Sequence, residues 1–171
     1  MNNPIVSRQD HASGAGQPLT HLDSAGQARM VDVSGKNVTS RSASASGRVL
    51  LSAAAVQALR SGEIPKGDAL AVARIAGIQG AKRTPDLIPL CHPIALHSVA
   101  VELAVEDDGV WISSTVRTAD RTGVEMEALT AVAVAALALI DMVKSVDPAA
   151  VVSDVRVDKK AGGKTGLWRR Q

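Results

Sequence analysis

Apolar positions along this chain repeat with two different periods, and the switches between them outline a fold. From Arg41 to Leu51 small residues alternate and end in Val49-Leu50-Leu51, the pattern of a strand. Ser52 stands where a helix N-cap belongs, and Gly62 stops that helix after about Arg60. Gly67-Asp68 opens a longer helix, Ala69 to Lys82, with Leu70, Ala73, Ala76 and Gly77 along its apolar side. Thr84-Pro85 has the form of an N-cap followed by an N1 proline, so a further short turn is expected. Val99, Val101, Leu103 and Val105 share one side of a strand, with Glu102, Ala104 and Glu106 between them. Asp107-Asp108-Gly109 turns the chain into a second strand, Val110 to Thr118. Gly123 precedes the most helical segment, Val124 to about Val146, which Asp147-Pro148 ends. Val151 to Val157 reads as a final strand, and Ala161-Gly162-Gly163 as the start of a flexible end.

The order β-α-β-β-α-β predicts an α+β, ferredoxin-like fold, an antiparallel sheet with helices packed on one face. Met30-Val31-Asp32-Val33 adds a short extended candidate. Residues 1–18 are rich in Gly, Ser, Asn and Gln and are expected to form a disordered extension. Residues 19–166 then make a single domain, and 167–171 a tail. The apolar run from Ala128 to Ile140 is too short to span a bilayer and predicts a buried helix.

Composition restricts how that core is filled. The chain has 171 residues with no Phe, no Tyr and two Trp, so Ala, Val, Leu and Ile must pack it. One cysteine excludes an intramolecular disulfide framework, and the polar opening lacks a signal-peptide pattern, which together predict a cytoplasmic protein. Net charge is only +2, too small for a strong global field toward nucleic acid or membrane. The basic residues are nonetheless clustered. Arg156, Lys159, Lys160, Lys164, Arg169 and Arg170 crowd the C-terminus, while Lys66, Arg74, Lys82 and Arg83 surround the second helix. With Arg41 these suffice to neutralise a polyphosphate if they converge. Few aromatic rings are available to stack on bases, so a phosphorylated small molecule fits better than nucleic acid.

Three stretches carry candidate chemistry. Ile88-Pro89-Leu90-Cys91-His92-Pro93 fixes the backbone with two prolines around a thiol and an imidazole. The other histidines, His11, His21 and His97, show no metal-ligand spacing, so no metal site is expected. His92 is expected to face a ligand and Cys91 to contribute backbone contacts. Gly162-Gly163-Lys164-Thr165 fails as a P-loop, because Asp158 stands where the first glycine belongs and no helix can follow. Lys160 and Lys164 could still fold over an anion. On the long helix, Glu125, Glu127, Asp141 and Lys144 interrupt an apolar sequence. Asp141 and Lys144 are helix neighbours, whether as an acid–base pair or as an ordinary surface ion pair. Glu127 and Asp141 share a face within roughly 40° but are separated by about 21 Å. Either they serve two ends of a long ligand, or two subunits each contribute one end of the helix to a shared site.

Leu19-Thr20-His21-Leu22-Asp23, Lys66-Gly67-Asp68, Ala73 to Gln79, Ala81 to Thr84, Leu87 to Pro93, Gly123 to Thr130, Asp141-Met142-x-Lys144 and Gly162 to Gly166 together resemble one family. That family is the cyclic pyranopterin monophosphate synthases of molybdenum cofactor biosynthesis. The resemblance implies a lyase that converts 3′,8-cyclo-7,8-dihydroguanosine 5′-triphosphate to cyclic pyranopterin monophosphate and releases pyrophosphate. It implies no redox cofactor, with Mg²⁺ entering only alongside the triphosphate and not indicated by the sequence. It also implies a homohexamer, a trimer of dimers, with sites at the dimer interface, and neither nucleic acid nor membrane as a partner. Carried over by position, Asp141, Lys66 and Lys144 are the catalytic candidates. Leu90, Cys91, His92, Met126, Glu127 and Glu125 are substrate-binding candidates, and Arg41, Lys160 and Lys164 would meet phosphate groups. Ile140 and Val143 depart from the Tyr and Cys common in the family beside the catalytic pair. Two other classes stay open on the residues alone: a non-catalytic carrier of a phosphorylated pterin or nucleotide, and a nucleic-acid-binding domain.

Overall fold

Alternation and capping place the elements. Strand β1 (Thr39–Leu50) leads into α1 (Ala53–Ser61), where the Ser52 hydroxyl accepts from the Ala55 N–H and Gly62 ends the helix in the left-handed region. Helix α2 (Ala69–Lys82) is capped by Asp68, whose carboxylate accepts from the Ala71 N–H at 2.9 Å. The short α3 (Thr84–Leu87) follows. Its cap is Arg83 rather than the expected Thr84, whose hydroxyl instead donates back to the Ala81 carbonyl at 3.0 Å. Strands β2 (Ser98–Glu106) and β3 (Gly109–Asp120) form the expected hairpin about Asp107-Asp108. Then come α4 (Glu125–Val143), β4 (Val151–Ala161) and β5 (Trp168–Arg169). The sheet is antiparallel throughout, in the order β2-β3-β1-β4-β5, an α+β fold with the ferredoxin-like arrangement.

This computed structural model describes residues 21–23, 25–164 and 166–171. The expected disordered extension over 1–18 lies outside the described residues, as do Leu19, Thr20 and Thr165. The described residues fall into two units, one ending at Val31 and the other running from Asp32 to Gln171. In the first, the Asp23 carboxylate accepts from the Ala25 and Gln27 N–H groups, each at 2.8 Å, and Leu22 bridges to Ala28. Met30 to Val33, expected to be extended, lies outside the named strands.

In the second unit one sheet face is apolar and meets the helices. Register alternates Ala43, Ala45 and Val49 of β1 with Val110, Ile112 and Val116 of β3 and with Val101 of β2, all buried. Ser114 on the same face is also buried, and its hydroxyl donates to the Ala128 carbonyl of α4 at 2.8 Å. Helix α4 lies in the centre, with Ala128, Ala131, Val132, Ala135, Ala136 and Leu139 fully covered. Its 19 residues are apolar enough to cross a membrane by length and composition, longer than the run from Ala128 to Ile140 implied. Over half of that window is nevertheless buried within the protein, as in a core helix.

A core without large rings closes by bringing backbones together. Helix α2 packs mainly on α4, and two glycines set the distance. A Cβ at Gly77 would sit 2.8 Å from the Ala131 carbonyl oxygen, and one at Gly80 would sit 2.8 Å from Val134 Cβ. At the far end of α4 the buried Asp147 carboxylate accepts from the Ser52 N–H at 2.6 Å and the Ala149 N–H at 3.1 Å. These bonds hold the carboxyl below the usual carboxylate range and tie the helix exit to the start of α1.

The C-terminus differs from expectation. β4 continues through Asp158, Lys159 and Lys160 to Ala161, and β5 returns to pair with Lys159 and Lys160. Polar residues continue a strand here because β4 is only partly covered, while its backbone bonds to β1 and β5 persist. Gly162 and Gly163 form the turn between these strands, with left-handed φ of 96° and 69°.

Close packing at Gly77 predicts that Gly77→Ala destabilises the fold by about 1–3 kcal/mol, because the opposing atom is backbone and cannot rotate away. Urea unfolding should show a lower midpoint at unchanged slope, and an unaltered midpoint would contradict the packing.

Candidate active site

Because the middle of α4 is apolar and packs one face into the core, its charges stand at its ends, and two sites grow from them. At the C-terminal end, Asp141 holds two ammonium groups. Lys66, from the loop before α2, donates to Asp141 Oδ2 at 2.7 Å and to the Asp141 carbonyl at 2.8 Å. Lys144 reaches Asp141 Oδ1 at 2.8 Å from one turn along the chain. The two lysines donate hydrogen bonds to the carboxylate and hold it down at about 2, so it is ionised at any physiological pH. All three side chains are substantially exposed, and exposed pairs contribute little to stability. Such an arrangement is better suited to chemistry than to holding the fold.

At the N-terminal end lies a basic cleft of about 140 Å³. It gathers Arg41 from β1, Lys160 from β4 and Lys164 from the turn beyond it, together with Lys36, Arg121 and one carboxylate, Glu125. Glu125 Oε1 accepts from Lys160 Nζ at 2.9 Å. Neutral carbonyls orient both guanidiniums: Arg41 Nε donates to the Asp120 carbonyl and Arg121 Nε to the Lys36 carbonyl, each at 2.9 Å. A Cβ at Gly163 would lie 2.4 Å from an Arg41 guanidinium nitrogen and push the arginine aside, while the left-handed φ of 69° itself favours glycine in the turn. Five cations around a small cleft can receive a group carrying several negative charges.

Near the same end, Leu90, Cys91 and His92 follow a turn in which the Cys91 N–H donates to the Ile88 carbonyl at 3.0 Å. Leu90 and Met126 are exposed, Cys91 and His92 half-buried. Glu127 is buried at 3 % exposure, and burial pushes its carboxyl up to about 7, with the charge of Glu125 acting in the same direction. Burial and the nearby Glu127 raise the Cys91 thiol, so its resting form is not a nucleophilic thiolate. Among the described residues no cluster of three His, Cys, Asp or Glu side chains could hold a metal ion. His97 instead accepts from the Ala119 N–H at 3.4 Å through Nδ1.

The structure therefore joins Asp141, Lys66 and Lys144 in one cluster and Arg41, Lys160, Lys164 and Glu125 in another. It does not join the two: Glu125 and Asp141 are about 24 Å apart along the α4 axis. Nor do the basic residues of α2 converge with Arg41. Arg74 is used to bind the Val101 carbonyl at 3.2 Å, and Lys66 belongs to Asp141. Lys36 and Arg121 were not expected in the cleft. Both stand beside glycine turns that flank β1 and α4, a local hint that does not reveal their convergence.

A family profile described as the MoaC family matches residues 30–163. The chain belongs to the MoaC family. A protein of Streptomyces coelicolor named cyclic pyranopterin monophosphate synthase is 64% identical over 169 residues, covering 96% of this chain and 99% of its own. One of the same name from Streptomyces avermitilis is 68% identical over 152 residues, 89% of each chain. The cyclic pyranopterin monophosphate synthase 2 of Mycobacterium tuberculosis H37Rv is 54% identical over 162 residues, 95% of each. The profile spans both ends of α4, and so takes in Lys66, Asp141 and Lys144, the segment around Cys91 and all of the cleft's charged residues except Lys164.

The buried Glu127 gives a pH prediction. Folding raises its carboxyl from 4.5 to about 7, so between those values the native state holds a proton that the unfolded chain has released. Stability should fall as pH rises through that window. Urea midpoints at pH 5 and pH 8 should show the drop, and Glu127→Gln should flatten it. Equal drops in parent and variant would contradict the assignment.

Proposed function

We propose that this chain is a lyase of molybdenum cofactor biosynthesis that converts 3′,8-cyclo-7,8-dihydroguanosine 5′-triphosphate to cyclic pyranopterin monophosphate and pyrophosphate. The observation that carries the reading is the Lys66–Asp141–Lys144 cluster, a low-pKa carboxylate holding two ammonium groups at 2.7 and 2.8 Å in an exposed position. Ring opening and pyrazine formation need repeated proton transfers, and lysines fixed by one carboxylate can deliver and accept them. Asp141 stays ionised and orients both amines. The basic cleft supplies the other requirement. When a ribose oxygen attacks the α-phosphate and pyrophosphate departs, Arg41, Lys160 and Lys164 stabilise the charge that develops. Rearrangement and cyclisation transfer no net electrons, so the reading needs no redox cofactor, and Mg²⁺ can enter with the triphosphate.

No nucleotide bridges about 24 Å of helix. We place the acid–base cluster of one subunit beside the basic cleft of another, at the dimer interface of a homohexamer built as a trimer of dimers. Leu90, Cys91, His92, Met126 and Glu127 line the pterin side of that shared site. A cytoplasmic location belongs to the same reading, as do the absence of nucleic-acid and membrane partners.

The test is pyrophosphate release and pterin formation by the purified protein given the cyclic dihydro-GTP intermediate. Asp141→Asn removes the charge that holds two lysines and should lower turnover by about a hundred-fold or more while the substrate still binds. Binding without turnover in the parent would favour a carrier of phosphorylated pterins, and full activity in Asp141→Asn would remove the cluster from the chemistry.

A further inference from the structure

The basic cleft contains one residue whose charge is wrong for its proposed ligand. Glu125 is the first residue of α4 and turns its carboxylate into a cleft lined by Lys36, Arg41, Arg121, Lys160 and Lys164. It bonds Lys160 at 2.9 Å, with about a third of each side chain exposed. An acid in a phosphate site weakens phosphate binding twice, by repelling the anion and by occupying a cation. A merely structural ion pair would not need to lie inside the cleft.

The local backbone accommodates this placement. A Cβ at Gly123 would fall 1.9 Å from Glu125 Oε2, so the carboxylate folds back over space that only a glycine leaves open. Val124 provides no side-chain cap for the first turn of α4, so the helix start lacks that anchor too. Carboxylate and phosphate oxygens seek the same donors, charged amines and helix-start N–H groups. The pair is also exposed enough to separate easily, since solvent-accessible ion pairs contribute little.

We propose that the Glu125 carboxylate is an internal stand-in for a phosphate group, holding Lys160 in the empty cleft and yielding it to the terminal phosphates of the substrate. When pyrophosphate has been cleaved from the α-phosphate, the same carboxylate competes for Lys160 and helps expel the leaving group. Glu125 is thus a positioning residue for release rather than a group that grips the substrate. The inference rests on the reading of the cleft as the phosphate site and assigns Lys36 and Arg121 to that site as well.

Calorimetric titration of the full-length protein with inorganic pyrophosphate tests it. Removing the competing charge in Glu125→Gln should tighten pyrophosphate binding by up to about five-fold, the scale of one partly exposed ion pair. Lys160→Met should weaken binding, and Glu125→Gln added to Lys160→Met should regain less than it gains in the parent. A gain in affinity is not what structural damage produces. Unchanged or weaker binding by Glu125→Gln would overturn the proposal. So would a structure of the parent with pyrophosphate in the cleft and the Glu125–Lys160 bond intact, a result that needs no variant to fold. If the parent turns substrate over but the affinity gain is missing, only the exchange fails. If the parent neither turns over nor binds pyrophosphate, the phosphate reading of the cleft fails with it.

Discussion

The face of a helix that packs into a core cannot carry unpaired charge, and that constraint organises this protein. Ala128, Ala131, Val132, Ala135, Ala136 and Leu139 of α4 are buried against the sheet and α2, where an unpaired charge would be prohibitively costly, while Leu137 on the outer side is exposed. Acidic residues therefore stand at the first turn and the last. Each end has drawn its own cations: Lys66 and Lys144 to Asp141, and Lys160 to Glu125. The separation of the two clusters is a consequence of core packing. On the proposed function, it also means that a small substrate is served by two copies of the chain.

The core that imposes this constraint is built from small residues. With no Phe or Tyr, close approach replaces bulk, and Gly77 and Gly80 let α2 settle onto α4 at distances a methyl group would obstruct. Ser114 and Asp147 fix α4 to its surroundings at either end of its buried stretch through single hydrogen-bonding groups. A helix held this firmly gives its terminal charges fixed positions, which repeated proton transfer and charge stabilisation both need. The two clusters differ in one respect. The carboxylate of Asp141 is shared by two lysines, whereas that of Glu125 faces five cations, so the second has the greater affinity for an added anion.

Much of this was legible locally. Ser52, Gly62 and Asp68 capped the helices as their types require, and the alternation of Val99, Val101, Leu103 and Val105 identified the buried sheet face. The Asp141–Lys144 pair follows from helix spacing alone. What sequence reasoning missed depends on long-range pairing. Lys159 and Lys160 lay beyond the strand expected over Val151 to Val157, yet β5 secures them in the sheet, because backbone bonds rather than side-chain patterning decide how far a partly covered strand runs. Lys36, Arg41, Arg121 and Lys164 come from four separate segments and meet only through the register of β1 with β3 and β4. Arg74 was grouped with the phosphate-binding cations because its charge was visible, while its bond to the Val101 carbonyl was not.

The central claim is that the two ends of α4 act together only across a subunit boundary. Mixing Asp141→Asn chains with Arg41→Ala chains, each inactive alone, and refolding them together tests it most directly. Mixed dimers would contain one site with both native halves and one with neither. The account predicts recovery of up to about a quarter of parental turnover, from random pairing of equal amounts across a two-fold interface. No recovery, with mixed oligomers demonstrably formed, would contradict it and place both clusters' contributions within a single chain.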